Sequence, residues 1–241
     1  MVNGLKPISI SMDNYFLNRE EIPLNEDGKR DMESIDVIDI ELFNEHLTQI
    51  IQGQEVEIPY YNFETGVREY NGNTIKIGKE QPIIVEGIHG LNEKLTAMIP
   101  KPNKYKIYIS ALTQLKIDHH NRIPTTDTRL IRRMVRDYLF RGTSIEGTLS
   151  MWPMVREGEE KYIFPYQEQA DFMFNSALIY ELAVLKPYIL PLLEAVSEDS
   201  PYFTEINRLQ KFMKYFTELK PEQIPNNSIL REFIGGSCFY Q

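Results

Sequence analysis

The clearest periodicity in the chain runs from Thr125 to Gly142, TTDTRLIRRMVRDYLFRG. At about 100° per residue, Leu130, Ile131, Met134, Val135 and Tyr138 share one arc. Arg129, Arg132, Arg133 and Arg136 share the opposite arc, and Arg141 follows just before the glycine. Pro124 and Gly142 supply a start and a stop signal. The pattern predicts a helix over 125–142 with one face in a core and the other carrying a row of guanidinium groups. Guanidinium is permanently charged and forks onto phosphate oxygens, so the row can clamp a phosphate. It can equally be a solvated basic face paired with the nearby Asp127 and Asp137. Spacing alone leaves both readings open.

Elsewhere the pattern alternates between strand and helix. Pro7 to Met12 reads as a short strand with Asp13 at its carboxyl end. Residues 14–29 read as loop. Ser34 to Gln52 carries apolar residues at helical spacing, with Ser34 as N-cap and Gly53 as stop. Val56 to Asn73 alternates β-type residues between Thr-Gly and Asn-Gly turn signals, which predicts a projecting hairpin within 56–77. Pro82 to Gly87 (PIIVEG) is a continuous apolar run ending in Glu86, the pattern of a strand buried on both faces. A short helix over Leu91–Ile99, a strand over Tyr105–Ser110, helical residues 143–155 and a strand over Ala170–Asn175 follow. Ser176 to Leu185 reads as a helix that Pro187 and Pro191 bend or restart, and Phe203, Ile206, Leu209, Phe212 and Phe216 form a closing amphipathic stripe assigned to core. The alternation predicts an α/β fold with a largely parallel sheet and flanking helices. Residues 1–200 are expected to form that α/β domain, and 201–241 a helical extension packed on it.

Charge narrows the function. The chain of 241 residues has a net charge of -9 and a pI near 5.1. That excludes broad electrostatic attraction to nucleic acid or anionic membrane, so any anion site must be local. A single cysteine, Cys238, rules out an internal disulfide and fits a reducing, cytoplasmic setting. No leader is expected at the start, and the most apolar span, 177–193, is interrupted by Glu181, Lys186 and two prolines, so no membrane span is predicted. His119 and His120 are neighbours in a polar stretch and are expected in a solvated loop rather than on a metal. Asp13 and Glu86 stand at strand ends, where open α/β sheets bind ligands. Together with the arginine helix, these carboxylates fit a phosphoryl-transfer site.

At this level of detail the chain resembles the uridine kinase and phosphoribulokinase branch of the P-loop kinases. The resemblance is carried by SMDNYF (Ser11–Phe16), MESIDVID (Met32–Asp39), IPYYNFETGVREY (Ile58–Tyr70), IIVEGIHGL (Ile83–Leu91) and the arginine helix, in that order. It implies Asp13 as the base toward an acceptor hydroxyl and Glu33 on the ribose hydroxyls. Tyr61 and Phe63 would flank the nucleobase, with Arg68 in the same substrate-binding hairpin. Glu86 would lie near Mg²⁺. Arg129, Arg132, Arg133 and Arg136 would stabilise the transferring phosphoryl group, and Arg141 would be a lid contact. The cofactors implied are Mg²⁺ and ATP, and the implied partner is a nucleoside or other small phosphate acceptor, with a homo-oligomer possible. The tail resembles a bacterial subgroup in which the kinase segment follows a region similar to part of threonyl-tRNA synthetase.

Two departures qualify the resemblance. Where uridine kinases carry a histidine in the base-binding hairpin, this chain reads Thr65-Gly66, which leaves the nucleobase open. No G-x-x-x-x-G-K-[ST] occurs in the 241 residues, so the ATP site is incomplete. In the family, the strand before that loop lies between those matching 82–87 and 105–110. The expectation is that these two neighbours close up and pair here, or that another copy fills the gap. The chain is thus expected to be the acceptor-and-lid part of a nucleoside kinase, inactive alone. The alternatives are a non-catalytic nucleotide- or phosphate-sensing module and, disfavoured by the acidic composition, an RNA-associated module.

Overall fold

The computed structural model describes residues 4, 6–24, 28, 30–78 and 80–239. In chain order the elements are β1 (Ile8–Ser11), α1 (Ile40–Ile51), β2 (Val56–Glu57), β3 (Tyr60–Asn62), β4 (Val67–Glu69), β5 (Thr74–Ile75), β6 (Ile83–Glu86) and β7 (Ile107–Ser110). They continue with α2 (Thr125–Arg141), α3 (Ile145–Gly158), β8 (Phe172–Asn175), α4 (Glu181–Glu194), α5 (Phe203–Met213) and α6 (Arg231–Ile234). The chain divides into two compact units, residues 1–108 with 155–172, and 109–154 with 173–241. The expected boundary at residue 200 lies inside the second unit.

In the first unit β1 and β6 pair in parallel, with Ser11 opposite Glu86. Ile10 and Met12, with Tyr15 and Phe43, enter a buried cluster that includes Leu47, Ile50, Val56, Ile58 and Leu95. The helix expected from Ser34 is split. Ser34 caps only a 3₁₀ turn at Ile35–Val37, and Asp39 caps α1 by accepting from the Leu42 N–H at 3.0 Å. The chain turns twice because Leu17 N donates to Val37 O and Asp39 N to Tyr15 O, which ties this segment to the end of β1. Gly53 ends α1 at φ +79, as the sequence predicts. The hairpin forms as two antiparallel pairs, β2 with β5 and β3 with β4. The helix expected over 91–99 reduces to a 3₁₀ turn, Glu93–Thr96, capped by Asn92.

The expected closure of the 82–87 strand onto the 105–110 strand does not occur. Among the described residues β6 pairs only with β1, and β7 only with β8. Nor is β6 buried on both faces: Ile84 is 48% exposed. An apolar run therefore does not prove two covered faces; it shows only what a strand would need to be stable there.

The second unit is a helical assembly. Leu130, Ile131, Met134 and Val135 of α2 pack with Leu182, Leu185 and Ile189 of α4 and Leu209, Phe212 and Met213 of α5. The predicted core arc of α2 is thus correct except for Tyr138, which is exposed near the helix end. Gly142 closes α2 at φ +62, its N–H donating to Asp137 O. Pro187 and Pro191 lie inside α4 rather than ending it. Proline at 187 leaves the Ala183 carbonyl without its helical donor. Leu219 N fills the vacancy at 3.0 Å, so a backbone group beyond α5 makes the proline tolerable. Leu230, Phe233 and Ile234 of the tail belong to the same buried cluster.

Arg132 is the main departure from the helical-wheel reading. It lies only about 60° from Val135 at 100° per residue, on the seam of the two arcs. The residue is 7% exposed. It contacts Glu181 through Nε at 2.9 Å and also through Nη2, donates to Ser176 O at 2.9 Å, and lies 5.1 Å from the Phe233 ring centroid. Burial pushes the Glu181 carboxyl upward, and the Arg132 charge opposes that. Removing one partner of a buried pair strands the other charge, at a cost of about 3–5 kcal/mol. Glu181→Ala should therefore lower the denaturant midpoint of the protein markedly. A midpoint within error of wild type would show that the pair contributes nothing to the second unit.

Candidate active site

The first unit gathers two acids at one sheet end. Because β1 and β6 are parallel and in register, Asp13, in the 3₁₀ turn Met12–Tyr15 after β1, and Glu86, the last residue of β6, both emerge at carboxyl ends of adjacent strands. Both are exposed. Gly87 makes this turn possible. Its φ is +147, and a Cβ there would meet Met12 Cε at 2.6 Å and Met12 Cβ at 3.0 Å. The buried Met12 thus requires glycine next to the acid.

The hairpin is pinned against the chain just beyond Asp13. Arg19 N donates to Gly66 O at 2.8 Å, Arg19 Nη2 to Phe63 O at 2.9 Å, and Arg68 N to Asn18 Oδ1 at 2.9 Å. Gly66, at φ +73, lets the Arg19 side chain lie across it; a Cβ would stand 2.7 Å from Arg19 Nε. Phe16, Tyr61 and Phe63 form an edge-to-face triad with centroids 5.0–5.8 Å apart. Within it, Phe63 is 57% exposed and Tyr61 only 1%. Phe63 can offer a ring to a flat ligand, whereas Tyr61 backs that wall as core. Arg68 is engaged within the fold: its Nη1 lies 2.9 Å from Asp39 Oδ2, the carboxylate that caps α1. It locks the hairpin to the helix.

Glu33 lies on a loop held by Asp31. Asp31 Oδ1 accepts from Glu33 N at 3.1 Å, Asp31 O from Ser34 N at 3.2 Å, and Asp31 Oδ2 from the Tyr162 hydroxyl at 2.7 Å. Gly158 gives Glu33 room, since a Cβ there would approach Glu33 Cβ to 2.8 Å. His89 also faces this loop. It is 1% exposed, with its ring edge-on to Tyr162 at 5.9 Å. Burial pushes the His89 ring below its ordinary value of 6.5, against the backbone of Glu33 and Ser34 and the charges of Asp36 and Asp31. Asp31, His89, Gly158 and Tyr162 were not singled out from sequence. His89 lies inside IIVEGIHGL, and a lone histidine in an apolar run was the available signal.

In the second unit, the remaining arginines are organised by one buried carboxylate. Asp137 is 2% exposed. Arg133 lies 3.3 Å, Arg136 3.0 Å and Arg141 3.6 Å from its oxygens. Three permanent positive charges on one negative charge leave a local excess. Asp127 takes no part, being held by Arg208 at 2.7 and 2.9 Å. Arg129 is partly exposed on the same helix. Of the two readings that the spacing allowed, the pairing with a local acid is visible in the contacts to Asp137.

A family model described as the phosphoribulokinase / uridine kinase family matches residues 9–182. The chain belongs to this family. A uridine kinase of Clostridium botulinum is 28% identical over 165 residues, spanning 68% of this chain and 71% of that protein. A uridine kinase of Halobacterium salinarum is 25% identical over 166 residues, spanning 68% and 65%. Among solved structures, that of a possible uridine kinase from Bacillus stearothermophilus is 16% identical with a TM-score of 0.41, covering 72% of this chain and 74% of that one. No helix among the described residues is long and apolar enough to cross a membrane.

The kinase family implies Mg²⁺ and ATP, and the residues present fit the two differently. No group of three or more His, Cys, Asp or Glu among the described residues is gathered to cage a metal. Mg²⁺ asks less, one or two carboxylates plus substrate oxygens and water, and Glu86 beside Asp13 can supply that. For ATP, the 241 residues contain no glycine-rich loop with its lysine to cradle phosphates. An apolar groove of about 560 Å³, lined by Ile40, Asn44, Thr48, Ala97 and Met98 among others, contains none of the residues named above as site candidates.

One buried and one partly buried histidine should make this unit acid-sensitive. His46, which shares a 3.2 Å hydrogen bond with the Tyr15 hydroxyl, is pushed down by burial, as His89 is. A depressed folded value means that the unfolded chain takes up protons first as pH falls through the ordinary 6.5. Stability is then lost on acidification. The urea midpoint should be lower at pH 5 than at pH 7, and His89→Phe should reduce that difference. An undiminished difference in the variant would remove His89 from the account.

Proposed function

We propose that this chain carries the acceptor-binding half of a nucleoside kinase, transferring a phosphoryl group to a 5′-hydroxyl of a uridine-like nucleoside. The observation that carries the reading is the in-register pairing of Ser11 with Glu86, which brings Asp13 and Glu86 out side by side at one sheet end. Asp13 would accept the proton of the hydroxyl as it attacks phosphorus, the role of a positioned carboxylate in phosphoryl transfer. Glu33 would receive hydrogen bonds from the ribose hydroxyls. Phe63 would stack on the base with Tyr61 and Phe16 behind it. Glu86 would hold Mg²⁺, which supplies charge neutralisation between phosphate oxygens. Arg129, Arg133, Arg136 and Arg141 would neutralise phosphoryl charge, while Arg132 serves the fold through Glu181. Relatives named uridine kinase support the acceptor class.

Without a phosphate cradle in its sequence, this chain alone should turn over little or no ATP. That same departure favours a second reading, a module that keeps the acceptor site and senses a nucleoside or its phosphate without chemistry. Isothermal titration separates the possibilities. Uridine or UMP should bind the purified 241-residue chain, ATP should not, and Phe63→Ala should weaken uridine by about tenfold, the scale of a lost base–aromatic stack. Absence of uridine and UMP binding sinks both readings. Appreciable uridine phosphorylation would refute the inactivity and restore a complete kinase.

A further inference from the structure

A buried carboxylate is neutralised by one positive partner. In the second unit Arg132 serves Glu181 in this way, and Arg208 serves Asp127. Asp137 differs. It is 2% exposed, and Arg133, Arg136 and Arg141 all lie within 3.6 Å of its oxygens. Arg136 brings both Nε and Nη2 to Oδ1, at 3.1 and 3.0 Å, while Arg133 Nε lies 3.3 Å from Oδ2. The four groups sum to two positive charges. Gathering like charges is unfavourable, and Arg133 and Arg136 are helix neighbours three residues apart. Neutralising Asp137 does not require that surplus. Nor are the guanidiniums buried with their acid. The side chains of Arg133 and Arg136 are 24% and 23% exposed, against 9% for Arg132 beside Glu181. Asp137 is itself held firmly, since its backbone carbonyl accepts from the N–H groups of Gly142 and Thr143 in the turn that ends α2.

We propose that Asp137 is a positioning residue for a phosphoryl-binding site on α2: its carboxylate draws the guanidiniums of Arg133, Arg136 and Arg141 into one preorganised group that closes on phosphate oxygens. An arginine side chain loses rotamer freedom when it engages a ligand. Asp137 removes much of that freedom in the free protein, so less is lost on binding. The carboxylate occupies one edge of a guanidinium, and the fork presents further N–H groups to a second acceptor. A phosphoryl group offers three oxygens and up to two negative charges, which matches the surplus. As an anion, Asp137 repels that ligand, so its contribution is geometric. The sign of its effect is therefore diagnostic. Coulomb's law alone makes an uncharged residue at 137 tighten anion binding, whereas the positioning role makes it weaken. The proposal deepens the nucleoside-kinase reading and rests on it for the identity of the anion as a phosphoryl group.

The test is calorimetric titration of the full chain with inorganic tripolyphosphate and, separately, with uridine. Wild type should bind tripolyphosphate. Asp137→Asn keeps the shape and removes the charge. It should bind tripolyphosphate about tenfold more weakly, the worth of one charge-assisted hydrogen bond, and uridine with affinity within about twofold of wild type. A second measurement needs only the wild-type fold: the arginine Nε–H signals in a nitrogen–proton correlation spectrum, with that of Arg136 assigned by its loss in Arg136→Lys. The Arg136 signal should exchange slowly with water before any anion is added. Tripolyphosphate affinity in Asp137→Asn that equals or exceeds the wild-type value overturns the proposal and leaves Asp137 a counter-charge. If Asp137→Asn does not fold, the spectrum decides. An Arg136 Nε–H that exchanges freely until tripolyphosphate arrives shows that the ligand organises the row, which also overturns it. So does a wild-type chain that binds no tripolyphosphate. Uridine that fails to bind, while tripolyphosphate binds and the variant weakens it, sinks the nucleoside reading and supports the positioning role.

Discussion

The register of two short parallel strands governs the first unit. With Ser11 opposite Glu86, the turn after β1 and the turn after β6 leave the sheet at the same level. A slip of one residue would send every side chain on β1 to the other face, taking Ile10 out of the core. The register is held from both sides: Ile10 and Met12 are buried beneath it, and Met12 fills the space over Gly87. Only glycine satisfies that contact, and the positive φ it allows aims the chain toward His89 and away from the sheet. Two acids, one methionine and one glycine therefore form a single mechanical unit.

The surrounding loops are fastened to that unit by polar groups rather than by extra core. Asn18 and Arg19 grip the hairpin, and Arg68 ties it to the cap of α1 through Asp39. Asp31 gathers its own loop and reaches Tyr162. Such bonds are individually modest, on the order of 1 kcal/mol each, yet they set position finely. Fixed positions of this kind are what any carboxylate acting as a base needs, since displacement by an ångström loses much of its value. The sheet itself remains narrow, with β6 paired on one edge only among the described residues.

The second unit shows how a charged helix can be built into a fold. Asp137 neutralises part of α2 from within, which offsets part of the repulsion among the three guanidiniums that converge on it. Arg132 is removed from the row by Glu181 and Ser176. The prolines of α4 are tolerated because Leu219 supplies the donor that the Ala183 carbonyl lacks. In the last two cases the helix surface is completed by a group distant in sequence.

That distinction separates what the sequence by itself determined from what tertiary structure decided. Features with short-range causes were legible: α2 between Pro124 and Gly142, the hairpin from its Thr-Gly and Asn-Gly turns, the strands ending at Asp13 and Glu86, and the family to which their order belongs. These depend on periodicity, φ preference and spacing, all local quantities. The fates of Arg132, Arg68 and Tyr61 were not legible, because each depends on a partner 29 or more residues away or on burial by other elements. Nor was His89, which gains meaning only from the loop it faces. A helical wheel assigns an arc, but it cannot say which neighbour occupies the seam. That is settled only when long-range contacts choose which polar groups are buried and which are left facing a ligand.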